Sequence, residues 1–299
     1  MAGRLETTGQ SGAAIMIEIK HRATGQVLRV VEADSLAGAD LRDEILDGAD
    51  LHGADLSGAW LHEADLNGAD LSNARLKGAV LVRTQLDGAD LSSASFEDAK
   101  LSDGSPGSGA VLTNCRMSGV RLHNCDMRYV DLHASDLTDA SIERTDLSNA
   151  CFREASLKRA RISGSQLIEA LLGACDLRDA DIQNCHMNGV KLLRAVLDGA
   201  RLGGNGGRIP VVLNLANMRE ASLIGADLRG VSLCDVNLHH ANLTGADLEG
   251  AELHGAVLRH ADVTGANFAH VSLVTVNITF SNFSQARNAE VPAFKQNVR

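Results

Sequence analysis

GADLHGADLSGAWLHEADLNGADL, residues 48–71, repeats one five-residue pattern. A leucine returns at every fifth position, a small side chain stands two residues before it, and aspartate usually fills the slot between them. Trp60, the only tryptophan of the chain, takes that aspartate slot once. A helix would show a period of 3.6 residues and a strand a period of two, so a strict five points to neither. It points to a backbone that turns a corner every fifth residue, with four corners closing a square coil of twenty.

Outward from this stretch the apolar anchor recurs from Leu36 to Leu101, again from Leu112 to Leu202, and again from Leu213 to Phe283, in runs of 14, 19 and 15. From Ala49 onward the small slot holds only Ala, Val, Cys, Ser or Thr. Such internal repetition is the first thing to seek in a sequence, because it decides the fold. Aromatic residues make up 3% of the chain, which excludes a core built on large rings and suits a narrow interior filled by Leu and Ala.

GADLH, GADLS, NGADL and TGADL resemble the A(D/N)LXX signature of the pentapeptide repeat family, over about residues 34–285. The resemblance implies an all-β fold, a right-handed quadrilateral parallel β-helix. Coils stacked at the strand spacing of about 4.8 Å would give roughly 12 coils and a rod on the order of 60 Å. Anchor leucines should line apolar columns, each worth roughly 1.5–3 kcal/mol when fully buried. Gly, Asn and Asp at the corners supply the backbone freedom that turns need.

The register sorts the remaining segments. Residues 1–14 are expected to be disordered. IMIEIKHRATGQVLRVV, residues 15–31, alternates apolar and polar residues on both sides of ATGQ and predicts a β-hairpin, placed over residues 15–33 as a cap on the first coil. Two Gly/Pro-rich hexamers, GSPGSG at 104–109 and NGGRIP at 205–210, interrupt the repeat. Each either replaces one pentapeptide as a bulged side or is a pure insertion. The tail, 286–299, folds back as a lid or leaves the end to a second copy. Cys115, Cys125, Cys175 and Cys185 fall in the small inward slot, so they are expected to be core thiols, with Cys151 and Cys234 outward.

No apolar run approaches the roughly 20 residues of a membrane span, and the start lacks a basic segment followed by an apolar one. A cytoplasmic protein with reduced thiols and no membrane contact is the expectation. The net charge of −10 is not spread evenly: residues 34–110 carry 15 acidic and 5 basic side chains, and residues 111–202 carry 12 of each. No basic stripe for direct nucleic-acid binding stands out, although Arg153, Lys158, Arg159 and Arg161 cluster.

Chemistry is sparse. The aspartates at 40, 50, 55, 65, 70 and 90 recur with the repeat, as turn-binding or solvated groups do and acid/base pairs do not. The expectation is no catalytic residue, no cofactor and no metal site. His240 and His260 share one column, and Cys234 and His254 another, but a metal needs three or four converging ligands and each column supplies two.

The functional expectation is therefore a non-enzymatic, rigid scaffold for protein–protein interaction. Its candidate partner surface is Trp60 with Val80 and Val82, an apolar spot bordered by Asp40 and Lys100. Its candidate homodimer interface, at the C-terminal end, is Val274, Phe280 and Phe283. The partner is unspecified; the resemblance adds a narrower alternative, an acidic DNA mimic that binds DNA gyrase or topoisomerase IV. A second alternative is a structural protein with no specific ligand.

Overall fold

Main-chain hydrogen bonds between residues about twenty apart organise the structure. In the computed structural model, which describes residues 15–204 and 207–296 together with the backbone of Thr7 and Thr8, the N–H of Leu51 donates to the carbonyl of Asp70 at 2.8 Å. The N–H of Asp70 donates in turn to the carbonyl of Ala49 at 2.8 Å. Within a side, a third bond closes the turn, from the N–H of Ala54 to the carbonyl of Leu51 at 3.0 Å. Every pentapeptide thus spends its donors on the coil before, the coil after and its own corner, which leaves few backbone groups unpaired.

The chain divides into two compact units, one ending at Cys151 and one beginning at Phe152. In the first, parallel bridges join residues twenty apart on each of four successive sides: Asp40 with Trp60, Ile45 with Asp65, Asp50 with Asp70, and Asp55 with Arg75. Three sides lengthen into strands β4 (Ser95–Glu97), β5 (Arg121–His123) and β6 (Ser141–Glu143), paired parallel in that order. The second unit repeats the arrangement, with β7 (Arg161–Ser163) parallel to β8 (Asp181–Gln183) and bridges such as Asn242 with Asp262. The fold is an all-β parallel solenoid of stacked, four-sided coils. No α-helix occurs among the described residues, so none is long and apolar enough to cross a membrane.

Ahead of the coils, β1 (Thr7–Thr8), β2 (Met16–Lys20) and β3 (Val27–Glu32) form an antiparallel sheet with β2 in the middle. Ile17 and Ile19 of β2 are buried. The Lys20 carbonyl accepts from the N–H of Asp50, and the N–H of Arg22 donates to Gly48, both at 2.8 Å, so the hairpin is bonded to coil backbone. Residues 1–6 and 9–14 of the segment expected to be disordered lie outside the described residues. Thr7 and Thr8 within it do pair, with Ile17 and Met16, because the free edge of β2 offers unpaired backbone groups.

The interior is filled as the pattern requires. Anchors such as Leu61, Leu157 and Leu243 are fully buried, and Phe96, Phe152 and Phe268 are the largest side chains among them. The few polar residues in the small slot bond to main chain: Thr84 donates to the Leu61 carbonyl at 2.7 Å and Ser135 to that of Leu112 at 2.5 Å. Cys115, Cys125, Cys175 and Cys185 are buried free thiols, and burial pushes the Cys115 thiol up to about 12 and that of Cys185 to about 11.

The two interruptions are insertions and not bulged sides. Val80 bridges Lys100 with the normal offset of twenty, but Gln85 bridges Val111 and Lys100 bridges Asp126, an offset of 26. His186 with Val212 shows the same offset in the second unit. The flanks of each interruption are held together at one corner, by a bond from the N–H of Ala110 to Leu101 at 2.8 Å in the first and from that of Val211 to Leu202 at 3.1 Å in the second. Asn205 and Gly206 lie outside the described residues.

Leu157 tests the register. Leu157→Ala should cost about 2–5 kcal/mol, and Leu157→Asp, which buries an unpaired charge, should remove most of a stability of the usual ~5–15 kcal/mol. Thermal melting followed by circular dichroism would show both; an unchanged melting temperature for Leu157→Asp would mean the side chain does not point inward.

Candidate functional site

The repeat settles what its carboxylates do. The Asp before each anchor accepts a hydrogen bond from the N–H two residues on, as Asp55 does from Ser57 at 3.1 Å, Asp65 from Asn67 at 3.1 Å and Asp70 from Ser72 at 3.0 Å. These are Asx turns, with the side chain standing in for a backbone acceptor. Several of the same groups also take an arginine. Arg75 donates to Asp55 at 2.8 Å from the next coil, and with the Ser57 hydroxyl it holds the Asp55 carboxyl at about 2. Arg178 does the same for Asp176, also to about 2.

Trp60 points outward and is 51% exposed. It stands in one ladder with Asp40, Val80 and Lys100, joined by the bridges Asp40 with Trp60, Trp60 with Val80, and Val80 with Lys100. Arg42 grips Asp40 through two hydrogen bonds of 2.8 and 2.6 Å, so the polar border is itself paired. Val80 is half-buried. Val82, expected beside them on the surface, is only 6% exposed and belongs to the core. It follows the anchor Leu81 just ahead of the inserted corner: the Glu63 N–H donates to its carbonyl at 3.1 Å, and the N–H of the next residue, Arg83, donates to Ser108 of the insertion. The exposed apolar spot is therefore Trp60 and part of Val80.

At the C-terminal end Val274 is 57% and Phe280 50% exposed, while Phe283 is 7% exposed and packs on Phe268 with ring centroids 4.9 Å apart. Phe283 sits in the anchor slot, which accounts for its burial and takes it out of any surface. The tail returns over this region through the 3-10 turn Ala293–Lys295, where the Lys295 ammonium donates to the carbonyls of Leu273 and Val276 at 2.6 Å each.

Cys234 and His254 do not form a pair. The His254 ring is hydrogen-bonded to the Thr275 hydroxyl at 3.2 Å, and both line a shallow cavity of about 470 Å³ with Glu252 and His270. The histidine column, by contrast, is richer than twenty-residue spacing suggests. His240 and His260 stack at 4.7 Å with rings 7° from parallel, Phe280 continues the stack on His260 at 4.7 Å, and His239 meets His240 edge-on at 4.3 Å. Desolvation, with the neighbouring His240 next, lowers the proton affinity of His239 and of His260 below the ordinary imidazole range. His239 was legible only as the first letter of an HH dipeptide; it shares a corner with its neighbour and no column with it, so column counting passes it by.

The family model for pentapeptide repeats matches residues 35–68, 64–103, 108–144, 135–173, 175–204, 213–250 and 251–287, well over half of the chain. The chain belongs to the pentapeptide repeat family. No curated protein sequence matches it. Among solved structures, this pentapeptide repeat protein is similar to HetL of the cyanobacterium Nostoc sp. strain PCC 7120, a pentapeptide repeat protein involved in heterocyst differentiation regulation. The identity is 26% over 84% of this chain and 87% of HetL, with a TM-score of 0.39. It is also similar to full-length QnrB1, a plasmid-mediated fluoroquinolone resistance protein, at 20% identity over 74% of this chain and 92% of QnrB1, with a TM-score of 0.41. At these TM-scores neither likeness carries a functional implication.

The carboxylates generate a pH prediction. Asp55 and Asp176 have folded-state pKa values depressed to about 2, below the unfolded value of about 3.9. Their contribution is present above the unfolded value and is lost as pH falls toward the folded one. The melting temperature should therefore drop between about pH 4 and pH 2, and Asp55→Asn should flatten part of that drop, by under about 1 kcal/mol for so accessible a pair. A variant whose melting temperature declines over that window as steeply as the parent's would show that the Arg75 pairing does not stabilise the fold.

Proposed function

We propose that this pentapeptide repeat protein is a rigid scaffold that binds a protein partner through the ladder centred on Trp60. The observation that carries the reading is the half-exposed indole beside Val80 in a ladder bordered by the Asp40–Arg42 pair and Lys100. Tryptophan is among the residues enriched in energetic hot spots, which a ring of weaker contacts shields from water, and a solenoid presents such a spot on an extended surface. The narrower alternative is a type II topoisomerase that meets the acidic side chains of residues 34–110 in place of DNA; a DNA mimic calls for negative charge along its whole length, and residues 111–202 balance to zero, so the broad reading leads.

Being the only tryptophan, Trp60 reports on its own binding. Its emission should be that of a solvated indole and should shift to shorter wavelength when the partner covers it. Trp60→Asp should leave the melting temperature unchanged and weaken partner binding by about 2 kcal/mol or more. Titration with purified DNA gyrase at low salt separates the narrow reading from the broad one: a salt-sensitive shift supports the topoisomerase, and no shift removes it. Equal affinity of Trp60→Asp and parent for a captured partner would move the binding face elsewhere.

For the C-terminal end we propose a second copy of the chain as occupant. Val274 and Phe280 stay exposed with the tail in place, and closed two-fold pairing is the commonest form of self-association. Light scattering should give twice the chain mass, reduced to the monomer by Val274→Asp; a parent that is already monomeric would leave the tail as the sole cover of that end.

A further inference from the structure

We propose that His239, His240 and His260 bind one divalent transition-metal ion of the borderline class that favours imidazole, such as Zn2+, Ni2+ or Cu2+. One ring nitrogen of each lies within 4.8 Å of the others, and among the described residues no other three histidine, cysteine or carboxylate side chains converge so closely. A tetrahedral ion with metal–nitrogen bonds of about 2.0–2.1 Å needs ligand nitrogens roughly 3.4 Å apart. The separations found here must therefore close by up to about 1.4 Å, and because His240 and His260 lie 7° from parallel while each nitrogen lone pair lies in its own ring plane, both rings must also turn out of the stack to aim at one ion. His240 and His260 are exposed, so rotation about their side-chain bonds meets no core packing.

The backbone beneath the rings is set by the coil. His240 and His260 stand at the same corner of successive coils with φ of 60° and 58°, and their N–H groups donate to Arg259 and Thr279 at 3.0 Å each. The two rings are consequently held one coil apart, and His239 comes in edge-on from the side, at 4.3 Å from one and 5.6 Å from the other. Nδ1 of His239 is shut off from solvent and has no hydrogen-bond partner. A buried ring nitrogen with nothing to bind is unusual, and a metal–nitrogen bond is an interaction that would satisfy one.

The surrounding charges are already occupied. Glu220 precedes His240 in the same corner column and accepts from Arg194 at 2.7 Å, with Arg219 3.5 Å away. The Arg259 guanidinium lies 5.4 Å from the centroid of the Phe280 ring. Phe280 stacks on the far side of His260, and His240 and His260 are exposed, so water can fill the coordination position that three protein ligands leave.

The test uses the untagged full chain, since an affinity tag of histidines would bind the same ions. ZnCl2 titrated calorimetrically into chelator-free protein should bind at one ion per chain. His239→Asn, His240→Asn and His260→Asn should each weaken binding by more than about tenfold, whereas His254→Asn, outside the trio, should not change it. Asparagine tolerates the left-handed corner conformation, and an unchanged melting curve for each variant would verify the fold. With CuCl2, electron paramagnetic resonance should show coupling to three imidazole nitrogens, reduced to two in His260→Asn at saturating copper. Absence of stoichiometric binding, or binding that survives in any of the three variants at parental strength, would overturn the assignment.

Discussion

The coils depend on the donation of an anchor N–H to a carbonyl of the next coil, nineteen residues ahead or twenty-five across an inserted corner, answered by the N–H of that carbonyl's residue. The pair Leu51 to Asp70 and Asp70 to Ala49, both 2.8 Å, is the unit. Neither bond can form unless the two coils are in register, so a change of coil length must be absorbed at a single corner. The inserted corners show this directly. Six extra residues before Val111 change the bridge offset from 20 to 26 and leave the apolar columns unbroken, because Ala110 N–H returns to the Leu101 carbonyl and restarts the ladder.

Register of this kind converts sequence spacing into surface chemistry. Residues twenty apart become vertical neighbours, so a column is one side chain repeated at strand spacing. Where the column alternates charge, as Asp55 with Arg75, it makes an ion pair; where it holds Trp60 and Val80 it makes an apolar patch; where it holds His240, His260 and Phe280 it makes a stack of rings. The sides of the solenoid carry its surface chemistry in this way.

The fold and the inward set were legible because a period of five leaves one consistent assignment of side chains to the core. Leu157, Thr84 and the four buried cysteines follow from their slot alone. What escaped was anything set by neighbours around a corner instead of along a column. Val82 stands in an outward slot yet is buried, one residue before the Arg83 N–H that bonds the inserted corner. Phe283 stands in an inward slot and is buried there, so its own register takes it out of the expected C-terminal interface. His239 joins its trio through a corner, a contact that twenty-residue spacing does not encode.

The corners themselves explain why such exceptions cluster there. The second residue after many anchors has positive φ, and it is often not Gly or Asn: Glu63, Arg83, His240, His260 and Phe280 all lie between 58° and 61°. A non-glycine residue in that conformation costs roughly 1–2 kcal/mol, which the ladder bonds on either side offset. Their N–H groups keep donating, as that of His260 does to Thr279 at 3.0 Å. Once the backbone is held by the coil, the side chain there is free of any packing duty. A corner is thus the position where this fold can carry an arginine, an imidazole or a phenyl ring equally well, and where chemistry can be added without touching the core.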